Sequence, residues 1–208
     1  MATSDPWPII HEERRALAAD LDGLTDAQWT TPSLCAGWTV RDVLGHMTAT
    51  AKMTPPRFLA RFAGAGFRFN AMAAKDAAAE AGSSGSDALA RFKSQLTSTT
   101  HPPGPVEAMV GEVMLHPEDI RRPLGITHAY SPEGLMRAAD FYKGSNLLLG
   151  TKNRIAGLTL KATDVQWSHG SGPEVSGPML DLLLAMTGRR AGLAALSGPG
   201  LATLQSRM

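Results

Sequence analysis

Apolar side chains along this chain recur mostly three and four positions apart, the spacing of helices with one face turned inward. Ile9, Ile10, Leu17, Leu21 and Leu24 follow it with charged residues between them, which predicts an amphipathic helix over residues 9 to 24. A short capped turn follows at Thr25 to Trp29. In Thr39-Val-Arg-Asp42 a threonine precedes an acid by three residues, the arrangement of a capping box, so a helix begins at Val40. It bends or stops near Pro55-Pro56. Residues 57 to 81 continue as an Ala/Phe/Met-rich helical segment closed by the linker Gly82 to Ser86, and Asp87 to Leu96 forms another short helix. After the rigid loop His101 to Pro105, a helix runs from Val106 to about His116 and kinks or ends at Pro117, which has no amide for the Val113 carbonyl. Ser131-Pro-Glu133 supplies an N-cap, a first-turn proline and an acid for a helix reaching about Leu149.

After Gly150 the period changes. Leu158 to Ala162 alternates, as does Val165 to Trp167, and both read as short strands. A turn-rich link, Ser168 to Pro173, leads to Glu174; Pro178 then opens an apolar helix ending at Thr187-Gly188, and a last short helix covers Gly200 to Ser206. No internal repeat is present. The fold class is therefore mainly α, with a helical bundle over residues 1–150 and a small α+β region over residues 151–208 that is too short to fold alone and is expected to pack on the bundle.

Composition narrows the function. The 208 residues suffice for one ordinary domain with a real apolar core. Cys35 is the single cysteine, so no internal disulfide forms, and no apolar segment follows the N-terminal Met-Ala-Thr-Ser-Asp-Pro; the expected compartment is the reducing cytoplasm. The longest apolar run, Met179 to Met186, is broken by Asp181 and falls short of the ~20 residues of a membrane span, so no membrane partner is expected. Twenty basic residues against nineteen acidic ones, dispersed along the chain, leave a charge of +1 and argue against a nucleic-acid partner. Nucleotide-binding glycine patterns and a Gly-x-Ser-x-Gly elbow are absent.

Candidate chemistry centres on Glu112 and His116, which stand four residues apart and project from one helical face one turn apart. His46, on a different helix, completes an O/N/N donor set that leaves a position open, as catalytic metal sites do. Each has a plainer reading. Glu112 and His116 facing solvent are a surface pair worth a few tenths of a kcal/mol, and His46 can be a core histidine bonded to a carbonyl. Facing inward, an ionised glutamate costs several kcal/mol unless a cation offsets it. Asp42 is best explained by its capping box; Asp119, three residues beyond His116, is a candidate partner for that ring or a surplus ligand. Arg121 and Arg122 suit a helix C-terminus. Cys35, with no Cys-x-x-Cys and no adjacent base in sequence, reads as a small buried side chain, and Trp29, Trp38 and Trp167 read as packing residues.

Three phrases carry a wider resemblance: Leu34-Cys-Ala-Gly-Trp-Thr-Val-Arg-Asp-Val-Leu-Gly-His46-Met, Gly111-Glu112-Val-Met-Leu-His116 through Gly125, and Asp164 to Pro178 with its continuation to Arg189. Together they resemble the mycothiol-dependent maleylpyruvate isomerase family over nearly the whole chain. The resemblance implies a DinB-like four-helix bundle that binds a divalent metal, typically zinc, at His46, Glu112 and His116. It further implies a small thiol cofactor, mycothiol or one like it, and a small electrophilic substrate. A zinc-stabilised thiolate that adds to a conjugated double bond, allows rotation and then leaves gives isomerisation; release of the adduct gives a thiol S-transferase. In the family an arginine of the C-terminal region is associated with function, which points to Arg189 as a candidate catalytic or cofactor-binding residue; a charge at a helix C-terminus, next to Gly188 as C-cap, is the preferred explanation. Two other readings stand beside the enzyme: a metal-stabilised binding or regulatory module without turnover, and a metal-assisted hydrolase, which lacks an obvious general base.

Overall fold

A computed structural model describes residues 5–147 and 149–208. The chain divides into two compact units, Met1–Ala129 and Tyr130–Met208.

In the first unit the apolar stripe predicted for the N-terminus forms α1 (Trp7–Asp20), with Ile10 and Leu17 fully buried. Thr25 and Gln28 cap the short α2 (Asp26–Trp29) reciprocally. The capping box at Thr39 and Asp42 has both of its halves, and α3 (Val40–Ala51) starts where it directs. The segment expected as one helix over 57 to 81 is two, α4 (Pro55–Gly64) and α5 (Phe69–Ala81), separated by Gly66 and Phe67, both at positive φ. Then come α6 (Gly85–Lys93) and α7 (Glu107–Leu124). Helix α1 packs on α7, α7 on α3, α3 on α6 and α6 on α1, a closed ring of four neighbours that makes the bundle, while α5 runs along α3.

Helix α7 does not end at Pro117, for it passes through Pro117 and Pro123 to a left-handed C-cap at Gly125. An interior proline costs about 3 kcal/mol, but every residue of Met109–Arg121 except Glu112 and His116 is buried, and tertiary packing of that length outweighs one lost bond. The second proline has a use. Pro123 cannot donate to the Asp119 carbonyl four residues back, and the Leu34 amide donates to it instead (3.1 Å).

The second unit holds α8 (Pro132–Lys143), α9 (Thr151–Ile155), β1 (Thr159–Ala162), β2 (Ser168–Gly170), β3 (Glu174–Gly177), α10 (Met179–Met186), a 3-10 helix at Arg190–Ala195 and α11 (Leu201–Ser206). The sheet order is β2-β1-β3, with Leu160 opposite His169 in the antiparallel pair and opposite Val175 in the parallel one. The strand expected at Val165 to Trp167 lies three residues later: the Ala162 amide donates to the Trp167 carbonyl, so residues 163 to 167 close the hairpin and the ladder starts at Ser168. Helix α8 ends at Lys143 rather than near Leu149, and β3 and α9 were not foreseen. Apolar α10 packs on α8, β1 and β3. None of the helices in the described residues is long and apolar enough to cross a membrane.

Candidate metal centre

Within Val43–Ala51 of α3 every residue is buried except His46, and within Met109–Arg121 of α7 the two exceptions are Glu112 and His116. The three gaps in these buried runs are the three predicted donors. One ligand atom from each of His46, Glu112 and His116 lies within 4.8 Å of the others, and the two imidazoles meet edge to face with centroids 4.8 Å apart. Helix α3 is set for this. Gly45 lets α3 approach α5 so closely that a Cβ there would overlap the Ala77 carbonyl oxygen and stand 2.7 Å from the Ala81 amide nitrogen. Trp38 lies against the His46 ring at 5.3 Å.

Electrostatics distinguishes the donors. Burial, with His116 alongside, pushes the His46 pKa down to about 3, so the imidazole is neutral and its lone pair is available at neutral pH. Burial pushes the Glu112 carboxyl above its usual range, while His116, Arg14 and Thr50 pull it back. Its Oε1 is buried without a hydrogen-bond partner among the described residues. A buried, unpartnered carboxylate oxygen facing two imidazoles is the environment a divalent cation relieves, so the residues present fit a metal.

The surrounding contacts are specific. Asp119, fully buried, accepts from His116 Nδ1 (3.0 Å), which places that proton on Nδ1 and leaves Nε2 free to ligate. The Cys35 thiol donates to the same Oδ2 (3.2 Å), its Sγ standing 3.9 Å from His116 Nδ1. Cys35 therefore has an acid and a ring beside it, contrary to the expectation of an isolated apolar side chain. Cys35, His116 and Asp119 also form a second group with ligand-like proximity, although hydrogen bonds already account for their contacts. Asp42 accepts from the Thr39 amide (2.9 Å) and hydroxyl (2.7 Å), its capping role.

Two residues went unnoticed in the sequence. Arg14 is buried, donates from Nη1 to the carbonyls of Gln95 (3.2 Å) and Ser98 (2.7 Å), and its charge holds Glu112 down. The Thr50 hydroxyl donates to the His46 carbonyl (3.0 Å) and stands beside the Glu112 carboxylate. A signal existed for the first: Ile10, Arg14, Leu17 and Leu21 share one 4-3-4 stripe, so a cation sits where the spacing demands an apolar residue.

These observations allow two predictions. Asp119→Asn should weaken zinc binding by about 10- to 100-fold, as removal of an outer hydrogen-bond partner of a ligand histidine does; a competition titration with a chromogenic chelator checks it. The second concerns pH. The unfolded chain protonates His46 near 6.5 and the folded chain only near 3, so the apoprotein loses stability as pH falls from 6.5 toward 3. Glu112, its pKa raised from 4.5, acts with the opposite sign above that value, since the folded state keeps its proton longer. His46→Gln should remove about 1 to 2 kcal/mol of the stability lost between pH 6.5 and pH 5, measured by urea unfolding of metal-free protein at both values.

Residues 10–108 match the mycothiol maleylpyruvate isomerase N-terminal domain. This segment is similar to the N-terminal domain of that isomerase family. Two solved structures share its fold, a mycothiol-dependent maleylpyruvate isomerase (TM-score 0.58, 13% identity) and a histidine-to-alanine mutant of such an enzyme (TM-score 0.59, 12% identity). In each, 93% of this chain aligns with 91% of the other. None of the curated proteins compared matches it. His46 falls inside the matched segment, whereas Glu112 and His116 follow it on α7.

Arg189 belongs to the second unit, half-buried between α10 and the 3-10 helix, where its amide donates to the Leu184 carbonyl (2.8 Å); burial first, and then the charge of Arg189, lower the pKa of Arg154.

Proposed function

We propose that the protein is a zinc-dependent, thiol-using enzyme of the isomerase or S-transferase type, acting on a small electrophile in the reducing cytoplasm. The observation that carries this reading is the meeting of His46, Glu112 and His116 around the unpartnered Oε1 of Glu112. These three would hold the metal. Zinc bound there would keep a small thiol, mycothiol or a similar one, as thiolate at neutral pH, where a free thiol of pKa about 8.5 is mostly protonated.

The chain's own residues prepare the site. His46 offers an uncharged ring, Asp119 fixes the tautomer of His116, and Arg14 balances the Glu112 charge when no cation is present. Limited exposure of only these donors within Val43–Ala51 of α3 and Met109–Arg121 of α7 leaves a route for a ligand without opening the core. The similarity of residues 10–108 to the mycothiol maleylpyruvate isomerase N-terminal domain supports the thiol.

Metal analysis of untagged protein followed by calorimetric titration with mycothiol tests the proposal. One equivalent of zinc and a thiol affinity that disappears with the metal are expected. Stoichiometric zinc with no thiol affinity would favour the regulatory or hydrolytic reading instead. Arg189 is the candidate for a carboxylate of thiol or substrate, because a guanidinium binds one bidentately. With zinc occupancy held constant, Arg189→Ala should cost ~1.5 kcal/mol or more of thiol affinity; an unchanged constant would assign the residue to helix-end electrostatics.

A further inference from the structure

Helix α4 is turned inside out. Around its axis Phe58, Leu59 and Phe62 fall on one face, and Arg57, Ala60, Arg61 and Gly64 fall on the other. The face of small and charged residues is the one that leans on α5: Arg61 pairs with Asp76 (3.1 Å), and Ala60, Gly64 and Met72 line the crevice between the helices. The apolar face points away. No residue from 54 to 71 is buried, although this stretch holds four of the six phenylalanines in the chain. Leu59 is 64% exposed and Phe67 72%.

The arrangement is specified by the backbone. Phe67 has φ of 59°, a conformation costly for a bulky residue, and this places its ring edge-on against Phe62 with centroids 5.5 Å apart. The three aromatic rings Phe58, Phe62 and Phe67 thus form one continuous outward surface. Such a patch on an isolated soluble chain would be a liability unless something covers it.

Charge indicates what does. Between Val43 and Lys75 there are five cations and no acidic residue, in a protein whose total charge is +1; Lys52 pairs with Glu80 (2.7 Å) and Arg61 with Asp76, which leaves Arg57, Arg68 and Lys75 as the surplus. Neither Arg57 nor Arg68 has an ion pair among the described residues. A second copy of the chain seated on this face would bring the same arginines together across a twofold axis, which like-charge repulsion opposes. An anionic lipid surface satisfies both features, taking the phenylalanine and leucine side chains below the headgroups and the arginines at their level. We propose that α4 and the Gly66–Phe69 turn form a peripheral docking site for anionic membrane, lying in the interface without spanning it. This amends the expectation that the protein has no membrane partner.

Co-sedimentation of the full chain with vesicles tests it. Vesicles of equal parts phosphatidylglycerol and phosphatidylcholine should carry the protein down at low salt, and vesicles of phosphatidylcholine alone should not. Leu59→Asp should reduce binding by about tenfold, and Arg57→Glu with Arg68→Glu should reduce it comparably. All these side chains are exposed, so circular dichroism should show the variants folded. Failure to bind anionic vesicles, or binding that Leu59→Asp leaves unchanged, overturns the proposal. So does a dimer in sedimentation velocity that Leu59→Asp dissociates, since a second copy would then cover the face.

Discussion

His116→Ala is expected to lower zinc affinity by more than about a hundredfold, beyond the 10- to 100-fold range of an outer partner, while the helical content of the protein stays as it was. Two facts set these expectations apart. In the proposed site the ring would supply one donor of three, so its loss would leave an incomplete set. Yet His116 interrupts the buried run of α7 instead of belonging to it, and the bundle rests on side chains such as Val110, Val113 and Met114 that the substitution leaves alone. Zinc content and circular dichroism of the purified variant should therefore separate. If helix and zinc disappear together, the metal is holding the fold.

Gly45→Ala should act in the opposite order, on the fold first and the site second. Alanine is ordinarily the better helix former by about 1 kcal/mol. Here its methyl group would press on the backbone at Ala77 and Ala81, and backbone cannot swing aside as a side chain can. Overpacking at the upper end, about 3 kcal/mol, less that gain leaves a net loss of about 2 kcal/mol. For a chain of this size that is a fall in Tm of roughly 4 to 8 °C. Because His46 is the next residue, moving α3 off α5 should also weaken zinc binding. A Tm equal to or above that of the parent would show that the two helices accommodate the methyl group.

Local signals were readable without coordinates. The capping box at Thr39 and Asp42 fixed the start of α3 to the residue, and the four-residue spacing of Glu112 and His116 placed them on one face of α7. What escaped depends on distant parts of the chain. Pro117 obeys its local chemistry, but nothing in its neighbourhood reveals that Met109–Arg121 is buried almost throughout, and burial decides whether one lost hydrogen bond ends a helix. Cys35 and Asp119 are 84 positions apart, and their contact depends on an amide-to-carbonyl bond that a second proline makes possible. The apolar period over residues 57 to 81 announced helix correctly; which face would be turned toward the protein is not contained in a period.

The placement of the three donors bears on how this architecture changes over time. Residues that fill a core are constrained by every neighbour they touch, whereas His46, Glu112 and His116 occupy the positions along α3 and α7 where that constraint is relaxed. A lineage can therefore exchange one donor, retune the chemistry or abandon it through single substitutions that scarcely disturb the bundle. Conversely, the core can change its side chains while the backbone stays put, as a fold shared with proteins of 12 to 13% identity illustrates.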